Sequence, residues 1–428
     1  MRIEQLSATE VLDSRGQPTL HVTLRTGTGV VTSAGVPSGA STGAKEAVEL
    51  RDGDPARYAG RGVQQAAGSI TGPLTQALGD REWATQGELD AALCTADGTP
   101  NKSSLGANAI VGVSMAAARG FAAEVGQQLF GYLAAEGGGP GPRLPVPHFN
   151  VLNGGAHAAN PLEFQEFMLA PLGAPSLAKA VQAGAEVYAA LRRRLSDGGY
   201  ATGLGDEGGF APDIAEPAQA CELLVEAIGA AGYTAGPGGL MLALDPAANG
   251  FFDAGMYRVA GTSMAAFQLV EFYAELVDRF PIWSIEDGCA EDDQDGWRAL
   301  TDRLGGRIQL VGDDNFVTHA ATITAAAERG IANAGLIKLN QVGTVTETFA
   351  ALAACRQAGY AAMVSHRSGE TPDTFIADLA VGAGCGQLKS GAPARGERVA
   401  KYNRLLELAD AEPALPYGLA AGTRAPGG

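Results

Sequence analysis

The chain has 428 residues, 46% of them hydrophobic, with a net charge of −17 and an isoelectric point near 4.7. That length exceeds one ordinary domain and suits a large barrel with a smaller companion. The acidity argues against nucleic acid and anionic membrane as main partners, since both are polyanions; a local cluster of metal ions or basic residues could still receive an anionic substrate.

Five scattered cysteines (Cys94, Cys221, Cys289, Cys355, Cys385) form no C-x-x-C and predict a reducing compartment. The opening MRIEQLSATEVLDSRG has no basic-then-apolar run, so no signal peptide is expected. No apolar stretch reaches the ~18 residues of a membrane span. A soluble, cytoplasmic protein is expected.

Up to about residue 130, short alternating strands (TLHVTLRTGTGVVTSAGV) mix with helical segments such as GANAIVGVSMAAARGFAAEVG. This predicts a small α+β domain over 1–136. His21 lies in one of these strands and is assigned no function. GASTG (39–43) fits the G-x-S-x-G hydrolase elbow, but it sits in a Gly/Ser loop near the N-terminus. Ser41 reads better as the serine of a mobile lid. GGGPGPRLPVP (137–147) reads as a linker, and 137–428 as the second domain.

GLGDEGGF (203–210) places Asp206 and Glu207 between glycine pairs. It fits G-x-G-x-x-G, but the two acids would repel a pyrophosphate, and Pro212 suits no long helix. A solvated turn and a catalytic acid approached closely by substrate remain open.

Beyond residue 240, short apolar runs end in ionisable residues: GLMLALD at Asp245, PIWSIE at Glu286, IQLVGD at Asp313, GLIK at Lys338, AAMVSH at His366 and GQLK at Lys389. They recur every 23 to 41 residues, near the ~30 of a TIM-barrel strand–helix unit, whose chemistry sits at the C-terminal strand ends. Any one such acid could cap a following helix. Together, Asp245, Glu286 and Asp313 would repel one another unless neutralised, and oxygen-only ligands point to Mg2+. Lys338, in an apolar strand, is expected to lose its proton readily and act as a base, or else to snorkel or pair with an acid. His366, Arg367 and Ser368 suggest a phosphate clamp, with Lys389 adding charge; a surface pair of Arg367 with Glu370 is the plainer alternative.

These residues, with DSRGQPT (13–19), PSGASTGAKEAVELRDGD (37–54), NKSSLGANAI (101–110), NGGAHA (153–158), QEFM (165–168), SIEDG (284–288), GDDNFVT (312–318), LIKLNQVG (336–343), SHRSGET (365–371) and AKYNRL (400–405), resemble the enolase family of phosphopyruvate hydratases almost end to end. The resemblance implies an atypical TIM-like β/α barrel preceded by a smaller α+β domain, usually dimeric or octameric. It implies Mg2+-dependent, reversible dehydration of 2-phosphoglycerate, a small phosphorylated hydroxy acid. Lys338 would take the α-proton and Glu207 would protonate the departing hydroxyl. Asp245, Glu286 and Asp313 would hold one Mg2+. A second would arrive with substrate at Ser41. His157 and Glu166 would line the leaving-group side, Gln165 would bind substrate, Arg367 and Ser368 would hold phosphate, and His366 and Lys389 would stand near substrate.

The chain departs from the family pattern at PAANGFF after Asp245, at PVPHFNV (His148 and Phe149 for two methionines), at Pro372 and at Ser390. These changes leave an alternative, an enolase-like paralogue such as carboxyphosphonoenolpyruvate synthase. A non-catalytic scaffold is a third reading, disfavoured because a scaffold has no use for a buried lysine facing carboxylates.

Overall fold

Alternation in the first strands produces a three-stranded antiparallel sheet, β1 (Ile3–Leu12), β2 (Pro18–Thr26) and β3 (Val31–Gly35). Leu20, Val22 and Leu24 are fully buried while His21 between them is exposed, as a period-two strand requires. The helix Ala107–Glu124 packs against β2 and β3 and is buried along most of its length. This computed structural model describes residues 1–40, 43–79, 81–420 and 423. Among them, no single helix is long and apolar enough to cross a membrane; the one apolar pair, Ala107–Glu124 with Leu129–Gly137, is bent by 105°.

Eight further strands close a barrel: β4 (Val146–Asn153), β5 (Glu166–Ala170), β6 (Met241–Asp245) and, after a small antiparallel sheet of β7 (Phe252–Asp253), β8 (Met256–Val259) and β9 (Thr262–Met264), β10 (Ile282–Glu286), β11 (Gln309–Gly312), β12 (Ala334–Ile337), β13 (Ala361–Ser365) and β14 (Gln387–Lys389). The barrel is atypical because β5 runs antiparallel to both β4 and β6, while the other neighbours are parallel. The stretch read as a linker runs into β4 itself, where Val146 and Pro147 are buried and pair with Gln387 and Leu388.

Period two decides which side chains fill the barrel. Met168 and Ala170 of β5 meet Met241 and Ala243 of β6 and Trp283 of β10 in one inner cluster. Val311, Ala334, Leu336 and Met363 form another, and Gln309 and Gln387 hydrogen-bond across the interior at 2.9 Å. The intervening Phe167, Leu169, Leu242, Leu244, Leu310, Ile337, Val364 and Leu388 belong instead to the main core with the outer helices. Continuing the inner face by two residues reaches Glu166, Asp245, Asp313, Lys338, Ser365 and Lys389. A register shift between Ile282 and Ser284 puts Glu286 in line with Ser284 on that face.

The N-terminal unit is fastened to the barrel by partly buried polar contacts. Asp90 accepts from the backbone N (2.9 Å) and Oγ1 (2.6 Å) of Thr346, at the start of the helix Val345–Ala358. Arg119 donates through both terminal nitrogens to Asp373 at 2.8 Å.

Candidate active site

Nine residues singled out in the sequence line one small cavity at the barrel mouth: His157, Gln165, Glu166, Glu207, Lys338, His366, Arg367, Ser368 and Lys389. Ser41 lies outside the described residues. Four of the nine, Glu166, Lys338, His366 and Lys389, come from a strand end or the residue just after one. Glu166 begins its strand where the others finish theirs, and the reversal of β5 brings it to the same mouth.

The acidic side is organised by Lys389. Its Nζ lies 3.0 Å from Glu166 Oε1, 3.0 Å from Asp245 Oδ2 and 2.8 Å from Glu286 Oε1, all buried. Burial alone would pull this lysine down, but Asp245, Glu166 and Glu286 outweigh it and hold it well above its ordinary value. Lys389 thus sits among two of the carboxylates expected to hold the metal, rather than only adding charge to a phosphate site. Asp313, the third, pairs with Lys338 Nζ and accepts from Gln341 Nε2 at 2.9 Å. The expectation that Lys338 gives up its proton readily is corrected here: burial lowers its affinity, but the Asp313 carboxylate reverses that and raises it.

Glu166 and Glu207 are pushed apart. Burial, then Glu207, raises Glu166 well above the carboxylate range. Burial would raise Glu207 too, but His366 and His157 bring it well below. His157 Nδ1 lies between them, 3.9 Å from Glu166 Oε1 and 3.7 Å from Glu207 Oε1. The two shifts run in opposite directions, favouring a proton on Glu166 and charge on Glu207. Asn150 Nδ2 also donates to Glu207 Oε2 at 2.9 Å. His366 is held neutral, pushed down to about 4 by burial against the opposing pull of Glu207. An arginine has only donors, so the 2.6 Å contact from Arg398 Nη1 makes His366 Nδ1 the acceptor. The ring proton then sits on Nε2, 3.3 Å from Glu207 Oε2.

The glycines around Asp206 and Glu207 make room. A Cβ on Gly205 would stand 2.7 Å from the His157 carbonyl, and Gly208 takes φ +86°. The reading of this stretch as a solvated turn is set aside, because Glu207 is buried.

On the basic side, the Arg367 guanidinium does not pair with Glu370, whose Oε1 accepts from the Arg367 backbone N at 3.1 Å. It donates bidentately to Glu46 of the N-terminal unit, at 3.0 and 3.1 Å, and to Asn340 Oδ1 at 2.9 Å. Glu370 binds Lys401 Nζ instead, at 2.9 Å. Ser368 Oγ accepts from the backbone N of Ala40 at 2.7 Å. Sequence reasoning missed Glu46, Asn150, Gln341 and Arg398. Arg398 is fully buried and also donates to the carbonyls of Arg367 and Ser368, both at 2.5 Å. Its signal was available: Arg398, Lys401, Tyr402 and Leu405 are buried at helical spacing, so two cations stand in a core-facing stripe. Glu46 carries no such signal.

The donors suit a hard divalent cation. Asp245, Glu286 and Asp313 are buried carboxylates, and Glu286 Oε2 is buried with no hydrogen-bond partner among the described residues. Burial and Asp245 raise Glu286 well above the carboxylate range, the mark of anionic charge in excess. The trio is not drawn as tightly together as two neighbouring groups whose ligand atoms lie within 4.8 Å of one another, His157–Glu166–Glu207 and Asp287–Asp313–Asp314. Asp287 is already engaged, accepting from the backbone N of Asp313 (2.8 Å) and of Asp314 (2.9 Å).

A barrel mouth that sets a lysine and paired carboxylic acids around oxygen ligands for a hard cation belongs to the lyases that move a proton beside a carboxylate. The comparisons narrow this class. Residues 3–133 match the family model of the enolase N-terminal domain, and residues 142–415 that of the enolase C-terminal TIM barrel domain. The enolase of Rubrobacter xylanophilus is 53% identical over 417 residues, covering 96% of each chain. The enolase of Acidothermus cellulolyticus is 52% identical over 429 residues, covering 100% of this chain and 99% of the relative. The chain belongs to the enolase family.

Proposed function

We propose that the chain is a hydro-lyase, a phosphopyruvate hydratase that reversibly dehydrates 2-phosphoglycerate to phosphoenolpyruvate in the cytoplasm as a step of glycolysis. The observation that carries this reading is the convergence of nine family-matched side chains on one cavity in a chain identical to a named enolase at 53% of aligned positions.

In this reading Lys338 is the base that takes the proton α to the substrate carboxylate. Whatever neutralises Asp313 leaves burial as the dominant influence on Lys338 and lets it lose its own proton. The Glu166–His157–Glu207 group supplies the proton to the departing hydroxyl, with Glu207 facing it and Glu166 as the protonated reserve. Gln165 lines the same side. His366, neutral and fixed by Arg398, directs its Nε2 proton at Glu207. Arg367 and Ser368 take the phosphate, while Lys389 keeps the acidic wall together and faces the substrate carboxylate. Asp245, Glu286 and Asp313 would hold Mg2+, which would offset the negative charge that builds on the substrate carboxylate. A second Mg2+ arriving with substrate near Ser41 is part of the proposal.

We place the domain division at 1–136 and 137–428, which the ends of the two family matches support. A homodimer or homo-octamer is proposed. Exposed Leu12 and Leu204 favour an interface there, because they flank two segments that Arg395 ties together through the carbonyls of Ser14 and Gly205.

The test is to follow enol-phosphate absorbance with 2-phosphoglycerate and Mg2+, beside an EDTA control. Rapid, EDTA-sensitive product formation is expected. No turnover from folded protein that binds Mg2+ would overturn the proposal and move the assignment to a phosphonate-handling paralogue. Binding to a macromolecular partner without any turnover would favour the scaffold.

A further inference from the structure

The Arg367 side chain is only 3% exposed, yet a carboxylate it hydrogen-bonds comes from the other domain. Glu46 lies in the loop just before Leu50 and Arg51, and its side chain is 8% exposed. Its Oε2 accepts from Arg367 Nη1 at 3.0 Å and its Oε1 from Nη2 at 3.1 Å. Asn340 Oδ1 accepts from Nη1 at 2.9 Å. Two parallel hydrogen bonds plus a third fix the plane of a side chain that otherwise turns about four bonds.

The same carboxylate is itself held. Glu46 Oε1 also accepts from the backbone N of Gly43 at 3.0 Å and from Gln341 Nε2 at 3.2 Å. Gln341 Nε2 donates in turn to Asp313 Oδ1 at 2.9 Å, and Asp313 pairs with Lys338. Gln341 is locked from its other end by Thr318 Oγ1 at 2.6 Å. One N-terminal carboxylate is therefore braced against the barrel and hands a fixed orientation to the arginine.

Resting on the assignment of Arg367 to the substrate phosphate, we propose that Glu46 is a positioning residue for phosphate recognition. It acts through Arg367 and touches neither the base nor the metal carboxylates. The N-terminal domain thereby takes part in substrate selection as well as in packing. Charge alone would not call for this arrangement: a carboxylate beside the clamp weakens its field for a phosphate, so the gain lies in geometry.

Steady-state kinetics on Glu46→Ala, Glu46→Gln and a neighbouring control, Lys45→Ala, test this, with melting temperatures to check folding. Glu46→Ala should raise KM for 2-phosphoglycerate at least about tenfold and change kcat less than about threefold, since a misoriented binding group weakens ground state and transition state together. The inhibition constant of inorganic phosphate should rise in step. Glu46→Gln keeps one accepting oxygen and should fall between the variant and the parent; it decides the matter if Glu46→Ala fails to fold. Lys45→Ala should match the parent. An unchanged or lowered KM in Glu46→Ala would overturn the proposal, as would a loss confined to kcat. If the parent itself fails to turn over 2-phosphoglycerate, the function assigned above falls. Calorimetric binding of inorganic phosphate to parent and Glu46→Ala then decides the role of Glu46, and equal or absent binding in both overturns it.

Discussion

On one side of the barrel mouth, Glu166, Asp245 and Glu286 share the ammonium of Lys389. On the other, Arg367 is held by Glu46. Each side holds charge of one sign away from water, and on each a residue of the opposite sign is hydrogen-bonded to it. The sources differ. Lys389 is the last residue of a barrel strand, whereas Glu46 belongs to the N-terminal domain. The acidic wall is therefore balanced by the barrel itself, while the clamp depends on the docking of a second domain. Lys338, between the two, is bound to Asp313 and keeps its proton for as long as that carboxylate is unshared.

The largest effect should come from the residue between the two sides. Lys338→Ala removes the base, and turnover should fall by about 10^2 to 10^4-fold, the usual worth of general-base catalysis. An active variant would end the mechanism. Breaking the acidic side comes next. Lys389→Met leaves three buried carboxylates without their shared cation, and without Mg2+ the variant should lose about 3–5 kcal/mol of stability. Saturating Mg2+ should restore part of it, read as a wider gap between melts with and without EDTA than in the parent. No gap would mean that the ammonium does not stand in for a metal-like charge.

A smaller, pH-dependent effect is expected beneath the acidic side. His148 is opposite Lys389 in register and is pushed down to about 4 by burial. A histidine depressed in the folded state stabilises fully above its unfolded value near 6.5 and loses that contribution as pH falls toward 4. The loss should be about 3 kcal/mol, seen as a slope in urea unfolding free energy that His148→Met flattens. Equal slopes in both proteins would show that His148 does not titrate this way. The smallest effect should come from an ion pair outside the mouth. Arg303 and Glu271 meet at 2.9 Å but are both solvent-exposed, so Arg303→Ala should cost under about 1 kcal/mol in the same measurement.

Much of the acidic side was legible because strand chemistry is local. A short apolar run must be followed by a turn, and a barrel gathers all its parallel turns at one end, so Asp245, Glu286, Asp313, Lys338, His366 and Lys389 announced themselves by position. Glu166 did not, because β5 is reversed and its acid opens the run EFMLA. The mutual arrangement was not legible. Lys389 meets Asp245 from 144 positions away, and Arg367 meets Glu46 from 321.

By itself, then, the sequence determined which residues could reach the barrel mouth, since side chains in a strand alternate and inward positions recur every second residue. It also determined the need for bare backbone around Glu207. Only the tertiary structure decided who neutralises whom. Burial leaves each charge dependent on its nearest opposite, and which opposite is nearest depends on strand direction and domain docking. That is why Lys338 is raised by Asp313, why Glu166 and Glu207 are shifted in opposite directions, and why the arginine clamp is completed by the N-terminal domain.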